Sequence, residues 1–357
     1  MGSGAKRFTL LAIIFVFALF VAGLMTGAIG AVFYQSDEDK EAGLTAEGPF
    51  IPKPEVHLPA QTVFPKSERE YYLEFLEAEE KERELGEEAL SDHERALVDD
   101  GPFRGNFTIL ITNTLLSSWL ASLLLILLFV LGARKAKLVP GRLQTFVELA
   151  IEGLLKFVEG VVGRQRARML FPVIATIFLF VMFNAWIGLL PIYPALGFMT
   201  GDHIQIHLLR PAGTDMNMPL ALALVSFVFV EYLGFRMLGI GYLTKFVRIG
   251  SLKRGVVDLV RLRFLGAFQN LLDFFFVGPL EAFSELVRLI SFTFRLFGNM
   301  TAGEILVLVS AFLVPFIATI GVYGLELLVG FIQALIFAGL TLVFAAIAMI
   351  PHDAEAH

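Results

Sequence analysis

The sequence predicts an all-α, polytopic membrane protein, and three observations carry that prediction. Apolar residues gather into blocks of 20 or more, the length a helix needs to cross a bilayer. Only 17% of the 357 residues are charged, where soluble domains carry about a quarter. The charges also divide sharply. Residues 34–104 hold 20 of the 34 acidic residues and 8 of the 28 basic ones, a net of −12 that leaves +6 on the rest. Such a chain faces two environments. The lack of cysteine excludes disulfide scaffolds, thiolate metal sites and thiol nucleophiles.

Six segments follow in order. Phe8–Phe33 runs uncharged after Lys6 and Arg7 and reads as a first span. A secretory signal is the alternative, since Ala28-Ile29-Gly30 offers a small-residue cleavage pattern. The second candidate, Phe107–Leu131, is closed by Arg134, Lys135 and Lys137. The third, Leu170–Leu190, follows Arg164, Arg166 and Arg168 and stops at Pro191. A fourth covers about Pro219–Ile240, and a fifth about Leu280–Leu313. Pro315 then breaks the chain before a sixth at about Ile317–Ile350. Between the second and third, Gly141–Gly163 puts Leu143, Phe146, Val147, Leu154 and Val158 on one stripe opposite Gln144, Glu148 and Lys156. That pattern predicts an interfacial helix rather than a span.

Loop charges set the orientation. Loop 132–169 holds eight Lys/Arg and loop 241–278 holds six, whereas loop 191–218 holds only Arg210. The positive-inside rule then puts both basic loops and the C-terminus in the cytoplasm, and residues 34–104 outside. Three regions result: 1–33 as a first span or signal anchor, 34–104 as an acidic extracytoplasmic segment, and 105–357 as the membrane domain. Within the outer region, a Pro-rich stretch (Pro49–Pro65) predicts an extended linker, and Lys66–Asp92 a short, solvated amphipathic helix.

Soluble catalytic signatures are missing: there is no GxxxxGK[ST], HExxH, GxSxG or strand-linked GxGxxG. His203 and His207, four apart in a short outer loop, are expected to be plain surface residues rather than a metal pair. The informative residues are charges within apolar segments, each of which costs about 2.5–3.5 kcal/mol at a helix centre unless paired or wet. Glu281, Arg288 and Arg295 recur every seven residues, within about 20° of one helix face per step. Ser284, Ser291 and Asn299 lie near that stripe, and Glu304 falls about 180° away from Arg295. In the last segment Glu326 and Gln333 share a face by the same spacing. A guanidinium stays charged and cannot relay protons, but it can block a cation path and attract a carboxylate. Carboxylates can load and release protons. A buried Arg–Glu network that merely joins helices is the structural alternative.

The run Ser291-Phe-Thr-Phe-Arg295-Leu-Phe-Gly298-Asn299-Met-Thr-Ala-Gly303-Glu304 resembles the signature of subunit a of F-type ATP synthases. The likeness extends over most of 107–350. It takes in Val139–Glu148, Asn184–Pro191, Arg210–Asn217 and Gln333-Ala-Leu-Ile-Phe337. The resemblance implies a stator and ion-channel subunit with no nucleotide site, cofactor or bound metal of its own. Two long tilted helices would pack against a ring of c subunits, and two proton half-channels would meet there. Further partners would be the b-subunit peripheral stalk, the soluble ATPase head and the lipid bilayer of a bacterial inner membrane, with no nucleic acid. Arg295 matches the stator arginine, with Asn299 one turn on. Glu304 and Glu326 match the polar pair of the outer half-channel, and Gln333 the glutamine near the arginine. Glu281, Ser284 and Arg288 match the inner half-channel or its interface. Where the family often pairs Glu with His at the positions of Glu304 and Glu326, this chain has Glu at both.

Two other functions are weighed from the residues themselves. A secondary transporter binding an anion at Arg295 predicts internal repeats and unwound mid-membrane helices, and the sequence shows neither. A membrane anchor for residues 34–104 leaves the intramembrane charges without a purpose.

Overall fold

The computed structural model describes residues 60–86, 89–102, 110–134, 137–190, 196–200, 203–246 and 249–350, with 11, 12 and 14–22 ahead of them. Five helices among them are long and apolar enough to cross a membrane. The first expected span falls largely outside the described residues, although 14–22 are helical. The others lie close to their predicted places: α3 (Asn113–Ala133), α4 (Arg142–Gly188), α5 (Asn217–Leu238), α8 (Gly278–Leu313) and α9 (Ile317–Ala348). Ahead of these come strand β1 (Thr62–Phe64), helices α1 (Lys66–Leu85) and α2 (Asp92–Asp100), and strand β2 (Ile111–Thr112). A hairpin, β3 (Gly197–Thr200) and β4 (His203–His207), follows α4, and α6 (Ile249–Val260) and α7 (Phe264–Leu272) precede α8.

The chain divides into two compact units. The first gathers Met1–Ser122, Phe183–Asp215 and Gly298–Ile332, and the second holds Leu123–Met182, Met216–Phe297 and Gln333–His357.

In the first unit, the described part of the acidic segment, from residue 60 on, is more ordered than its composition suggests. The helix expected over Lys66–Asp92 stops at Leu85, because Gly86 leaves α1 at a φ of 84° that other residues avoid, and a second helix, α2, follows where it was expected to end. Tyr71, Tyr72, Phe75 and Ala78 recur at helical spacing and are buried, together with Leu90 and Leu97. The Tyr71 hydroxyl donates to the Gly101 carbonyl at 3.1 Å, tying α1 to the end of α2. Lys81 Nζ donates to both Glu94 oxygens at 2.8 and 2.9 Å. Glu94 also completes a capping box: its carboxylate accepts from Ser91 N at 2.7 Å, and its N–H donates to Ser91 Oγ at 3.3 Å. The end of the expected linker is a strand, since β1 pairs antiparallel with β2. The Arg69 guanidinium stacks over the Phe198 ring of β3, 4.1 Å from its centroid.

In the second unit, α4 merges the interfacial helix with the first part of the third span. Gly163, at φ 76° and ψ 160°, breaks it where the apolar stripe ends. Val147, Leu154 and Val158 bury one side of that helix, and Phe146 and Leu149 stay exposed on another. The inner loop expected at 241–278 contains the helix pair α6–α7, joined by Asn270 Nδ2 donating to Asp258 Oδ2 at 3.0 Å. A loop charge count hides such short helices, of which α6 carries Lys253 and Arg254 and α7 no charge.

The Lys81 bond, then the Ser91 N–H, lower the Glu94 carboxyl from 4.5 to about 2. A depressed native value means stability that is complete above the ordinary carboxyl range and is lost as pH falls toward about 2. Amide protection in residues 91–100 of the full chain, taken relative to the intrinsic exchange rate at each pH, should therefore fall between about pH 4.5 and 2. In Glu94→Gln that step should vanish, and an unchanged exchange profile would refute the cap.

Candidate functional site

Polar side chains collect in the first unit around a cavity of about 230 Å³. Its walls include Asn299, Glu304, Glu326, Arg210, His207 and Gln61. In α8, Gly303 and Glu304 follow Asn299 by four and five residues, so all three reach the wall within little more than one turn. Gly303 packs against the Glu326 carboxylate of α9 so closely that a Cβ would collide with it. The bare glycine lets the carboxylate lie against α8, next to Glu304 in sequence. Trp186 Nε1 donates to the Leu327 carbonyl at 2.9 Å, fixing α4 against α9 beside Glu326.

Glu304 has a partner that its own helix does not supply. Arg210 Nε donates to Oε1 at 3.1 Å and Nη2 to Oε2 at 2.9 Å, a bidentate pair with side-chain exposures of 9% and 19%. The Arg210 backbone is fixed as well, its N–H donating to Ser117 Oγ of α3 at 2.9 Å. Next to it, Gly213 lets the Ala212–Thr214 turn lie against Met300. Thr114 Oγ1 donates to Asp215 Oδ2 at 3.0 Å, so Asp215 ties the turn to α3. The outer segment reaches this group. Burial pushes the Tyr72 phenol of α1 up to about 12, with the Arg210 charge opposing the shift.

His207 belongs to the same cavity, which corrects its reading as a plain surface residue. Its N–H donates to Gln61 Oε1 at 3.0 Å, and its carbonyl accepts from Asn113 Nδ2 at 3.3 Å. His207 joins no group of three or more metal-ligating side chains among the described residues, and the His203 side chain lies outside them.

The second unit carries Arg295, Gln333, Glu281, Ser284 and Arg288. Phe292 of α8 meets Phe337 of α9 at 4.9 Å, and Arg288 stacks on Phe344 at 3.9 Å from the ring centroid. One partner rises in number as the other falls, so the helices run antiparallel there. One turn on from Phe292 is Arg295, and one turn back from Phe337 is Gln333. Those two turns therefore share a level. Gln333 is buried, and Arg295 is half-buried with no described carboxylate at ion-pair distance.

Arg288 pairs with Glu285 one turn back in α8. Nearby, the Tyr242 phenol is pushed up by burial and then by the Glu231 carboxylate. Glu231 of α5 thus sits with Tyr242. Ser284 is exposed and Glu281 half-buried. Sequence reasoning missed Glu285, Glu231 and Arg210 as partners. Arg210 alone left a signal, as the one cation of its loop.

Comparison with known proteins gives one family for the membrane segments. Residues 115–346 match the family described as the ATP synthase A chain. A protein named ATP synthase subunit a from Gloeobacter violaceus is 34% identical over 241 residues, covering 68% of this chain and 85% of its own. Its namesake from Desulfosudis oleivorans is 34% identical over 234 residues, covering 65% and 86%. A third, from Mycobacterium ulcerans, is 34% identical over 244 residues, covering 67% and 87%.

Removing one member of a buried pair strands the other charge, at about 3–5 kcal/mol. Arg210→Met should approach that loss in thermal unfolding of the solubilised chain. Arg210→Met combined with Glu304→Met should recover most of it, because no charge is left unpaired. Equal losses in the single and double variants would refute the pairing as a source of stability.

Proposed function

This chain belongs to the ATP synthase subunit a family and is a multi-pass membrane protein, and from that premise we propose that it is the non-catalytic stator of the membrane sector, carrying two proton half-channels to the c-ring. The observation that supports this reading best is the division of charge along α8. Glu304 faces a polar cavity and is neutralised by Arg210, while Arg295 lies at the Gln333 level without a described carboxylate partner.

The mechanism is electrostatic. A ring carboxylate that is protonated is neutral and can face lipid. Deprotonated, it cannot, and it is held near Arg295 until a proton returns. Glu304, Glu326 and Asn299 line the outer half-channel. The Glu285–Arg288 pair and the Glu231–Tyr242 pair stand beside the inner one, with Glu281 and Ser284. Arg295 separates the two channels, because a guanidinium repels a crossing cation and does not release its own proton. Each charge moving through the potential delivers about 2.3 kcal/mol per 100 mV, and the offset of the channels turns that into rotation. The b-subunit stalk holds the stator against the soluble head, where ATP is made. Residues 34–104 lie outside the inner membrane and the C-terminus inside.

Two measurements test this reading. In vesicles holding normal amounts of assembled complex, Arg295→Ala should abolish coupled ATP synthesis and raise passive proton leak. Wild-type synthesis there would remove Arg295 from the mechanism. Orientation is read from a single cysteine in this cysteine-free chain. Leu85, 66% exposed at the end of α1, suits it. Leu85→Cys should react with an impermeant maleimide from the outer side alone, and labelling from the cytoplasm alone would invert the topology.

A further inference from the structure

The segment ahead of α3 lies before the residues that match the family, yet it supplies one wall of the polar cavity. Gln61 is buried, and its backbone and side chain are both engaged. Its N–H donates to Asn113 Oδ1 at 3.2 Å, and its Oε1 accepts from His207 N at 3.0 Å and Asn113 Nδ2 at 3.4 Å. Asn113 in turn donates to the His207 carbonyl at 3.3 Å. The His207 backbone is thus clamped on both sides, and its pairing with Gly197 in the β3–β4 hairpin closes the third. The residue held so firmly is half-buried and carries the one side chain type whose ordinary titration falls near neutrality.

We propose that His207 is a proton-transferring residue of the outer cavity, and that Gln61 positions it. The inference rests on the proposed reading of the cavity as the outer half-channel. In the step, the neutral imidazole takes a proton from outside water on one ring nitrogen. It then gives up a proton to cavity water or to the Glu326 carboxylate, and returns to its neutral form. The charged and titratable groups sharing the cavity are Arg210, Glu304, Glu326 and Tyr323. Arg210 and Glu304 cancel each other as a bidentate pair, and a phenol is neutral at this pH. Glu326 is left to balance an imidazolium. Gln61 and Asn299 add neutral polar groups that can solvate either state.

The experiment uses the assembled complex in sealed vesicles, with proton flux followed as the outer pH is stepped from acid to alkaline. His207→Ala should lose the inflection in the neutral range and slow flux there by about tenfold. That is less than the hundredfold or so of an obligatory acid–base group, because cavity water offers a parallel path. Free imidazole added outside should restore flux in the variant and leave the wild type unchanged. A wild-type pH profile, or slowed flux without imidazole rescue, would overturn the proposal. His207→Gln repeats the test with a side chain that hydrogen-bonds but does not titrate, should the alanine variant fail to assemble. Gln61→Ala should move the inflection without removing it, as expected of a positioning residue. Arg295→Ala is measured in parallel. Normal synthesis in that variant refutes the underlying reading, whereas lost synthesis there with a wild-type profile in His207→Gln refutes the role of His207 alone.

Discussion

A carboxylate on a membrane-spanning helix must be compensated, and in this protein the compensation of Glu304 by Arg210 organises everything around it. The pair is 94 residues apart in sequence and bidentate in space. To bring the guanidinium there, the chain after the β3–β4 hairpin must lie against α3 and α8. Ser117, Thr114 and the close approach of Gly213 to Met300 serve that end. The energy at stake is asymmetric. The pair adds little over an apolar replacement, but half of it would be far worse than none. A structure that depends on such a pair has a strong reason to keep its surroundings rigid.

The spans were legible because their signal is local. A helix that crosses lipid must satisfy its backbone internally and present apolar side chains, so hydropathy alone locates it. The interfacial helix was legible for a similar reason, and its end at Gly163 coincides with a backbone conformation that favours glycine. The outer segment was misread because its composition is dominated by Glu on exposed faces. Four buried residues at helical spacing, Tyr71, Tyr72, Phe75 and Ala78, carry its packing, and they are outnumbered in any average. The β1–β2 pairing of three residues with two is too short to leave a periodicity.

The site divides the same way. Asn299 and Glu304 lie little more than one turn apart along α8, although the helical period alone would put them on different faces, and Glu326 joins them across Gly303 from the helix that follows the Pro315 break. Arg210, His207 and Gln61 depend on loop closures that no local pattern announces. His207 illustrates the difference. Its spacing to His203 suggested at most a surface pair, but its backbone partners come from Gln61 and Asn113, far away in the chain. Charge also misleads when read one helix at a time. The heptad stripe Glu281–Arg288–Arg295 looks like one array, although Arg288 is already bound by Glu285 and stacked on Phe344.

That difference between Arg288 and Arg295 is what a rotary stator would need from two arginines two turns apart. An arginine with an internal partner has a fixed position and a cancelled charge, so it exerts little pull on anything that passes. A half-buried arginine at the level of a glutamine would keep its charge available to a moving carboxylate, because a neutral amide does not cancel it. Glutamic acid at Gln333 would put a negative charge at the level of Arg295 and weaken the attraction on which the proposed mechanism relies. Neutrality at that position and full pairing at Glu304 are thus two answers to one constraint. In the low dielectric of a membrane, a charge is either matched within the chain or kept for a partner that arrives from outside it.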